Sequence, residues 1–353
     1  MKVRAAVAAM EEYNPPLEGR TEADYLLLDF SESTQPPSPV VTAAMQAYLA
    51  SGKARMYPAE GRLREKLAAY AGVRPEQVLP VNGSDSAIQL ILRAVLDPGD
   101  EMVMAKPGFS VIVSTALGQG AKVVSPLYRP DMSFPFDEVL AAVTPRTRLI
   151  VIVSPNNPTG TSVPIGQIEA IATRHPDVAV FVDEAYFEFS GKTAAPLLAR
   201  YSNLVLSRTF SKAMALAGLR FGYALSNPEF IRQLAKLRIP YDVNSVAIAA
   251  AEASLDHPEG WRAYVREVMT EAKPMVERFL REHGATFFPS DANFLLVRCP
   301  DPAEAAAHLK SRGILVRPQK PPVGDCFRVS MGTVAEMRRL MQALSEYPRL
   351  VGA

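Results

Sequence analysis

The run RLIVIVS (148–154) is the strongest constraint on how this chain folds, because Leu149 to Val153 are all apolar. A strand made from it is apolar on both faces, and both must be covered. Helices packed above and below a parallel sheet do that, and strand–helix–strand crossovers supply them. Runs of the same kind occur at QVLPV (77–81), EMVMA (101–105), AKVVSPL (121–127), VAVFVD (178–183) and NLVLS (203–207). Helical patterns bounded by Pro and Gly separate several of them, among them DEVLAAV (137–143) and PIGQIEAIATRH (164–175). The alternation predicts an α/β fold with a large, mostly parallel sheet covered by helices.

The texture changes near residue 246. Ala- and Glu-rich helical sequence runs to about Gly284, interrupted at Pro258 and Pro274. Strand-like FLLVRC (294–299), helical PAEAAAHLKSRG (302–313), strand-like ILVR (314–317) and FRVSMG (327–332), and a last helix follow. That order predicts a smaller C-terminal α+β domain. A chain of 353 residues exceeds what one compact core usually holds. The expected division is an N-terminal arm over 1–37, a large domain over 38–245 and a small domain over 246–353.

Composition excludes several classes. A net charge of +1 gives no long-range field that would draw nucleic acid or anionic lipid. No apolar run approaches the ~18 residues of a membrane helix. The apolar stretch in MKVRAAVAAMEE is too short for a signal peptide and stops at Glu11 and Glu12, so a cytoplasmic location is expected. Cys299 and Cys326 form no metal-ligand pattern with any His and are expected to be reduced, buried thiols; no metal is expected.

In open α/β sheets ligands gather beyond the carboxyl ends of the strands. After QVLPV comes NGSDS (82–86), then a helical face ended by Asp97-Pro98-Gly99. It reads as a phosphate cradle on a helix N-terminus, or as a plain strand–turn–helix junction. After RLIVIV comes SPNNPTG (154–160), a stiff turn displaying Asn156 and Asn157. After VAVFV comes DEAY (183–186), where an aspartate ends an apolar strand and wants a cation or a donor, or caps a turn. After NLVLS comes SRTFSKAMALAGLRFG (207–222), in which Thr209, Ser211 and Arg220 are suited to a phosphate and Lys212 to nucleophilic chemistry. One ligand uses the whole set. Pyridoxal phosphate needs a phosphate site, a lysine for its aldehyde and an acid that keeps its ring nitrogen protonated.

The segments NGSDS, PGF (107–109), SPNNPTG, VDEAY (182–186), SRTFSKAMALAGLRFGY (207–223) and FRVSMGT (327–333) resemble, in order and spacing, the fold type I aminotransferases. The likeness is greatest to the histidinol-phosphate aminotransferase family and covers about residues 25–345. The resemblance implies a pyridoxal-phosphate enzyme in which Lys212 holds the cofactor aldehyde and shuttles a proton, and Asp183 pairs with the pyridinium nitrogen. It also implies that Asn157 and Tyr186 bond the phenolic oxygen, and that Phe109 stacks on the ring. Ser84, Asp85, Thr209, Ser211 and Arg220 would form the phosphate cup. Tyr57, in MYPAEG, matches a tyrosine that reaches the phosphate of the partner's cofactor, which implies a homodimer with shared active sites. Arg328 would grip the substrate carboxylate and Arg317, in ILVRPQ, a distal anion.

Three departures stand out. DFSESTQPP (29–37) replaces the family's NENP-like segment, Ser86 stands where glutamate is common, and Phe109 replaces tyrosine. The implied activity is ping-pong transamination, with histidinol phosphate and 2-oxoglutarate as the leading pair and aromatic amino acids as rivals. DFS and PGF are also similar to threonine-phosphate decarboxylases, which implies a lyase as the alternative. A cofactor-binding regulator is disfavoured, because the enzyme-like sequence starts by about residue 25 in a nearly neutral chain.

Overall fold

A computed structural model of the chain describes residues 1–10, 12 and 16–347; Glu11 and the last residues assigned to the small domain, 348–353, lie outside the described residues. A two-residue strand β1 (Leu26–Leu27) precedes the large sheet. That sheet comprises β2 (Val78–Val81), β3 (Glu101–Met104), β4 (Lys122–Val124), β5 (Thr147–Val153), β6 (Ala179–Asp183), β7 (Leu204–Thr209) and β8 (Gly222–Ser226). The order across it is β2-β8-β7-β6-β5-β3-β4. From β4 to β7 all neighbours are parallel, whereas β8 runs antiparallel to both β7 and β2.

The expected mostly parallel sheet is present, and its one reversed strand has a simple cause. Between β7 and β8 the chain holds only the short 3-10 turn Ala217–Leu219. The twelve residues between the two strands form no crossover helix, which a parallel neighbour usually needs, and the chain returns antiparallel. The apolar run 149–153 divides as its pleat requires. Ile150 and Ile152 pack into one core with Val180, Val182, Leu204 and Leu206, while Leu149, Val151 and Val153 join Phe181 and Val205 on the other face.

The C-terminal part builds a second sheet from β9 (Phe287–Phe288), β10 (Phe294–Arg298), β12 (Arg317–Pro318) and β13 (Cys326–Ser330), ordered β12-β13-β10-β9 and antiparallel throughout. Strand-like ILVR is divided. Its first half, β11 (Ile314–Leu315), pairs in parallel with β1, so the N-terminal arm is stitched to the C-terminal part. In the 246–284 stretch Pro258 separates helices Ser245–Asp256 and Glu259–Glu267. Pro274 does not break the chain: Val268–Ala272 winds as a π-helix into Lys273–Glu282, and the wider turn absorbs the missing N–H. Helix Ser245–Asp256 buries Ala247, Ala250 and Ala251 in the same core as one face of the large sheet. Both cysteines are free and buried. No helix among the described residues is long and apolar enough to cross a membrane.

One charged pair lies inside this framework. Arg208, 1% exposed, donates from Nε to Glu184 Oε2 at 2.8 Å and from Nη2 to Thr193 Oγ1 at 2.6 Å. Glu184 also accepts from Ala194 N, and the guanidinium lies 3.8 Å over the Phe187 ring centre. Replacing Glu184 by Ala leaves a buried guanidinium without its main carboxylate. The expected loss is about 3–5 kcal/mol, with Glu184→Gln losing less. Urea denaturation checks this, and equal midpoints for the wild type and Glu184→Ala would contradict it.

Candidate active site

The polar residues gather where the parallel strands end. Asp183 is the last residue of β6, 3% exposed, and accepts from Ser207 Oγ at 2.7 Å, its register partner on β7. Burial is the main cause that raises its carboxyl to about 6, with Asp85 and Glu184 adding to the push against the Ser207 hydrogen bond. The charged groups that act on it are both acidic. A carboxylate so placed is costly unless a cation faces it.

Beside it, the return loop from β7 to β8 packs on the first turn of helix Gly83–Val95. Gly83 has φ +75°, and a Cβ there would lie 2.7 Å from Arg220 Nη2. A Cβ on Gly222 would lie 2.6 Å from Ser84 N. Both glycines are therefore required by the close approach of loop to helix. Arg220, itself left-handed at φ +54°, donates from Nη2 to Asp85 Oδ2 at 2.7 Å and from Nη1 to Ala217 O at 3.2 Å. Thr209 Oγ1 donates to Ser211 Oγ at 2.9 Å and accepts from Ser211 N at 3.1 Å. A guanidinium and a pair of hydroxyls thus meet the free N–H groups of a helix N-terminus, which is the donor set of a phosphate site.

Lys212 follows at once. Its Nζ donates to Phe30 O at 2.8 Å and lies 5.8 Å from the ring centre of the buried Tyr186. Tyr186 is wedged edge-on against Phe294 of β10, ring centres 5.1 Å apart. Arg328, on β13 and 7% exposed, donates from Nη1 to Asn157 Oδ1 at 2.5 Å and from Nη2 to Asp29 O at 2.7 Å. Arg317, directly opposite it on β12, holds its guanidinium 5.2 Å over the Phe30 ring centre.

Two expected residues have no recorded contact with these side chains. Phe109 is half-buried at the N-cap of helix Ser110–Gln119, packed on the core under the sheet. Tyr57 is 78% exposed and stacks on Tyr241 with ring centres 4.2 Å apart, so within one chain it has no recorded contact with the cup. Conversely, sequence reasoning missed the contacts of Asp29 and Phe30. DFSESTQPP was marked as a departure, yet its carbonyls meet side chains 299 and 182 positions away. No local periodicity reports such a pairing.

The residues present suit pyridoxal phosphate. A buried carboxylate bonded to a hydroxyl and facing no cation matches a protonated ring nitrogen, and the cup matches a phosphate. Fold and site together define a pyridoxal-phosphate-dependent transferase of the α/β, fold type I class. Residues 23–344 match the aminotransferase class I and II family, and the chain belongs to it. It is a pyridoxal-phosphate-dependent aminotransferase, whose substrates are amino and oxo acids. It is 36% identical to a histidinol-phosphate aminotransferase of Roseiflexus castenholzii, over 98% of this chain and 97% of that one. A dihydroxyacetone phosphate transaminase of Campylobacter jejuni is 32% identical over 94% of this chain and 92% of its own. The crystal structure of a histidinol-phosphate aminotransferase from Sinorhizobium meliloti in complex with pyridoxal-5'-phosphate superposes with a TM-score of 0.86. It is 27% identical and covers 98% of this chain and 97% of its own.

The Asp183 carboxyl makes a prediction for the cofactor-free protein. Its ordinary value is 3.8 and its folded value about 6, so within that window the native state holds a proton that the unfolded chain has lost. Stability therefore falls as pH rises through the window and stays lowered above it. Asp183→Asn keeps the oxygen that accepts from Ser207 and removes the charge. In the cofactor-free state it is expected to melt above the wild type at pH 7 and alongside it near pH 4. Melting curves on both proteins decide it, and a gap that closes with rising pH would overturn it.

Proposed function

We propose that the chain exchanges an amino group between histidinol phosphate and 2-oxoglutarate, as a cytoplasmic step of histidine biosynthesis. The observation that carries this reading is Arg328, a buried fork bonded to Asn157 and to Asp29 O, the carbonyl next to the one that holds Lys212. 2-Oxoglutarate presents an α-carboxylate to this fork, whereas histidinol phosphate has no carboxylate and is held through its phosphate. The donor's distal phosphate goes to Arg317, which makes no ion pair with any described residue. Phosphate is also what the names of the Roseiflexus and Campylobacter relatives have in common, which supports a phosphorylated substrate.

Pyridoxal phosphate supplies the electron sink that makes the substrate α-carbon acidic. Asp183 would keep the ring nitrogen protonated, and Asn157 and Tyr186 would hold the phenolic oxygen. Ser84, Asp85, Thr209, Ser211 and Arg220 would hold the phosphate, and Phe109 would supply the ring face beside it. Lys212 would hold the aldehyde and, once its amine is released, would take the proton from the substrate α-carbon and pass it to the former aldehyde carbon; the Phe30 carbonyl keeps its amine within the site. Residues 1–37 act as an arm, 38–245 as the cofactor domain and 246–353 as the small domain that brings Arg328 and Arg317 to the substrate.

The chain works as a homodimer in this reading. Met56, Tyr57, Ile239 and Tyr241 are large apolar or aromatic residues left exposed on one chain, and a second copy that covers them receives Tyr57 at its own phosphate cup.

The substrate is tested by single half-reactions. Histidinol phosphate is expected to convert the yellow enzyme to its pyridoxamine form, whereas phenylalanine and tyrosine leave it yellow. Release of carbon dioxide from threonine phosphate would instead make the chain a lyase. Shared sites are tested by mixing Lys212→Ala with Tyr57→Ala copies. Activity should rise above that of either variant alone, since each mixed pair regains one intact site; no gain would remove Tyr57 from the partner's cup.

A further inference from the structure

Arg20 reaches the site from the N-terminal arm and is engaged on several sides. Its Nε and Nη2 donate to Asp29 Oδ1 at 3.2 and 2.9 Å, and Nη2 also bonds Glu32 Oε2. Its guanidinium lies 4.6 Å over the Phe30 ring centre. Asp29 is 5% exposed and the Arg20 side chain 11%, so the pair is largely desolvated and each partner depends on the other.

Between Asp29 and Glu32 the backbone itself serves the site. Asp29 O accepts from Arg328 Nη2, and Phe30 O accepts from Lys212 Nζ. Ser31, which follows, is fully buried with φ +54°. That conformation is unfavourable for a non-glycine residue and persists only where the surroundings over-determine it. On one side Ser31 N donates to Ser330 Oγ at 2.9 Å and Ser31 O accepts from Asn293 Nδ2 at 3.2 Å. On the other side the segment is held by Arg20.

We propose that Arg20 is a positioning residue for transamination. By bridging Asp29 and Glu32 across Phe30, it fixes the two consecutive carbonyls that aim Arg328 at the substrate carboxylate and hold Lys212 beside it. The inference rests on the roles given above to Arg328 and Lys212; Arg20 has no recorded contact with either. Without its guanidinium, Asp29 keeps a buried carboxyl with no cation against it, and must take a proton or turn outward. Either change rotates the residue whose carbonyl holds Arg328. A lysine restores the charge but has neither the fork for two carboxylates nor a flat face to lay on Phe30, so it restores only part of the function.

The test is a double-mutant cycle on the holoenzyme with maleate, an unreactive dicarboxylate, titrated by the absorbance of the bound cofactor. Arg20→Ala is expected to weaken maleate about tenfold and Arg328→Ala more, as loss of a charge-assisted fork implies. Arg20→Lys should fall between Arg20→Ala and the wild type. In the Arg328→Ala background Arg20→Ala should add almost nothing, because both act through one group. Cofactor content and spectrum should match the wild type throughout. Unchanged maleate affinity in Arg20→Ala, or losses that multiply in the double variant, would overturn the proposal. So would a loss confined to phosphorylated donors, which would mean that Arg20 touches the substrate directly. If Arg20→Ala fails to fold, Arg20→Gln, which keeps a donor for the carboxylates without the charge, replaces it in the same cycle. Maleate carries neither amino group nor phosphate, so a wrong donor assignment leaves this readout intact.

Discussion

The double burial of the large sheet decides where chemistry can sit in this protein. Helices cover both faces, and residues 149–153 are buried without exception. Polar groups can therefore appear only where the strands run out. Asp183 ends β6, Thr209 ends β7 and Ser154 follows β5. Their clustering at one rim of the sheet is what an open α/β topology imposes on any ligand site. The catalytic apparatus is therefore a consequence of the same burial that stabilises the fold.

Two neighbouring acids show how differently that burial can be met. Glu184 is surrounded by donors, with Arg208, Thr193 and the Ala194 N–H all directed at its carboxylate. It is a closed structural arrangement with little left to offer a ligand. Asp183, one residue earlier, has hydrogen bonds from Ser207 Oγ and the Ala185 backbone, and the charges that act most on it, Asp85 and Glu184, are acidic. A buried acid left in that condition lowers stability at neutral pH, and such strain is characteristic of functional positions rather than of packing. The contrast between them supports Asp183, and not Glu184, as the group that meets a cationic ring nitrogen.

The parts legible in the sequence were those set by short-range pattern. Each apolar run from 101 to 207 became a strand, four of the five within two residues of their expected limits, because double burial leaves the chain little other use for them; AKVVSPL (121–127) kept only Lys122–Val124. Strand β8 was hidden inside the motif SRTFSKAMALAGLRFGY, where the motif's chemistry drew attention from the alternation in GYALS. ILVR read as one strand, yet it serves β1 with one half and β13 with the other, a division made by tertiary partners. In the site, the residues at strand ends were legible for the same reason as the strands. Arg20, Asp29 and Asn293 were not, since their roles depend on contacts with residues far away in the chain, for which composition carries no signal. Tyr57 was singled out through resemblance alone, and one chain by itself gives it a stacking partner rather than a cup.

Arg328 is where these separate parts of the chain are joined. It is carried by β13 of the C-terminal sheet, bonded to Asn157 at the end of β5 in the large sheet, and bonded to Asp29 O in the arm. A carboxylate entering this fork must share it with those acceptors or displace them. If it displaces Asn157, the C-terminal sheet loses a tie to the large one; if it displaces Asp29 O, the arm loses one tie to β13 and keeps those made through Ser330. If Arg328 receives the substrate carboxylate as proposed, substrate binding is coupled to the mutual positions of arm and sheets, because the same guanidinium ties all three. This coupling also explains why the segment at 29–31 is built so tightly, with a left-handed Ser31 fixed by Ser330 and Asn293. A loosely held arm would let Arg328 relax toward whichever acceptor remained, and the fork would no longer present its two nitrogens to an incoming carboxylate.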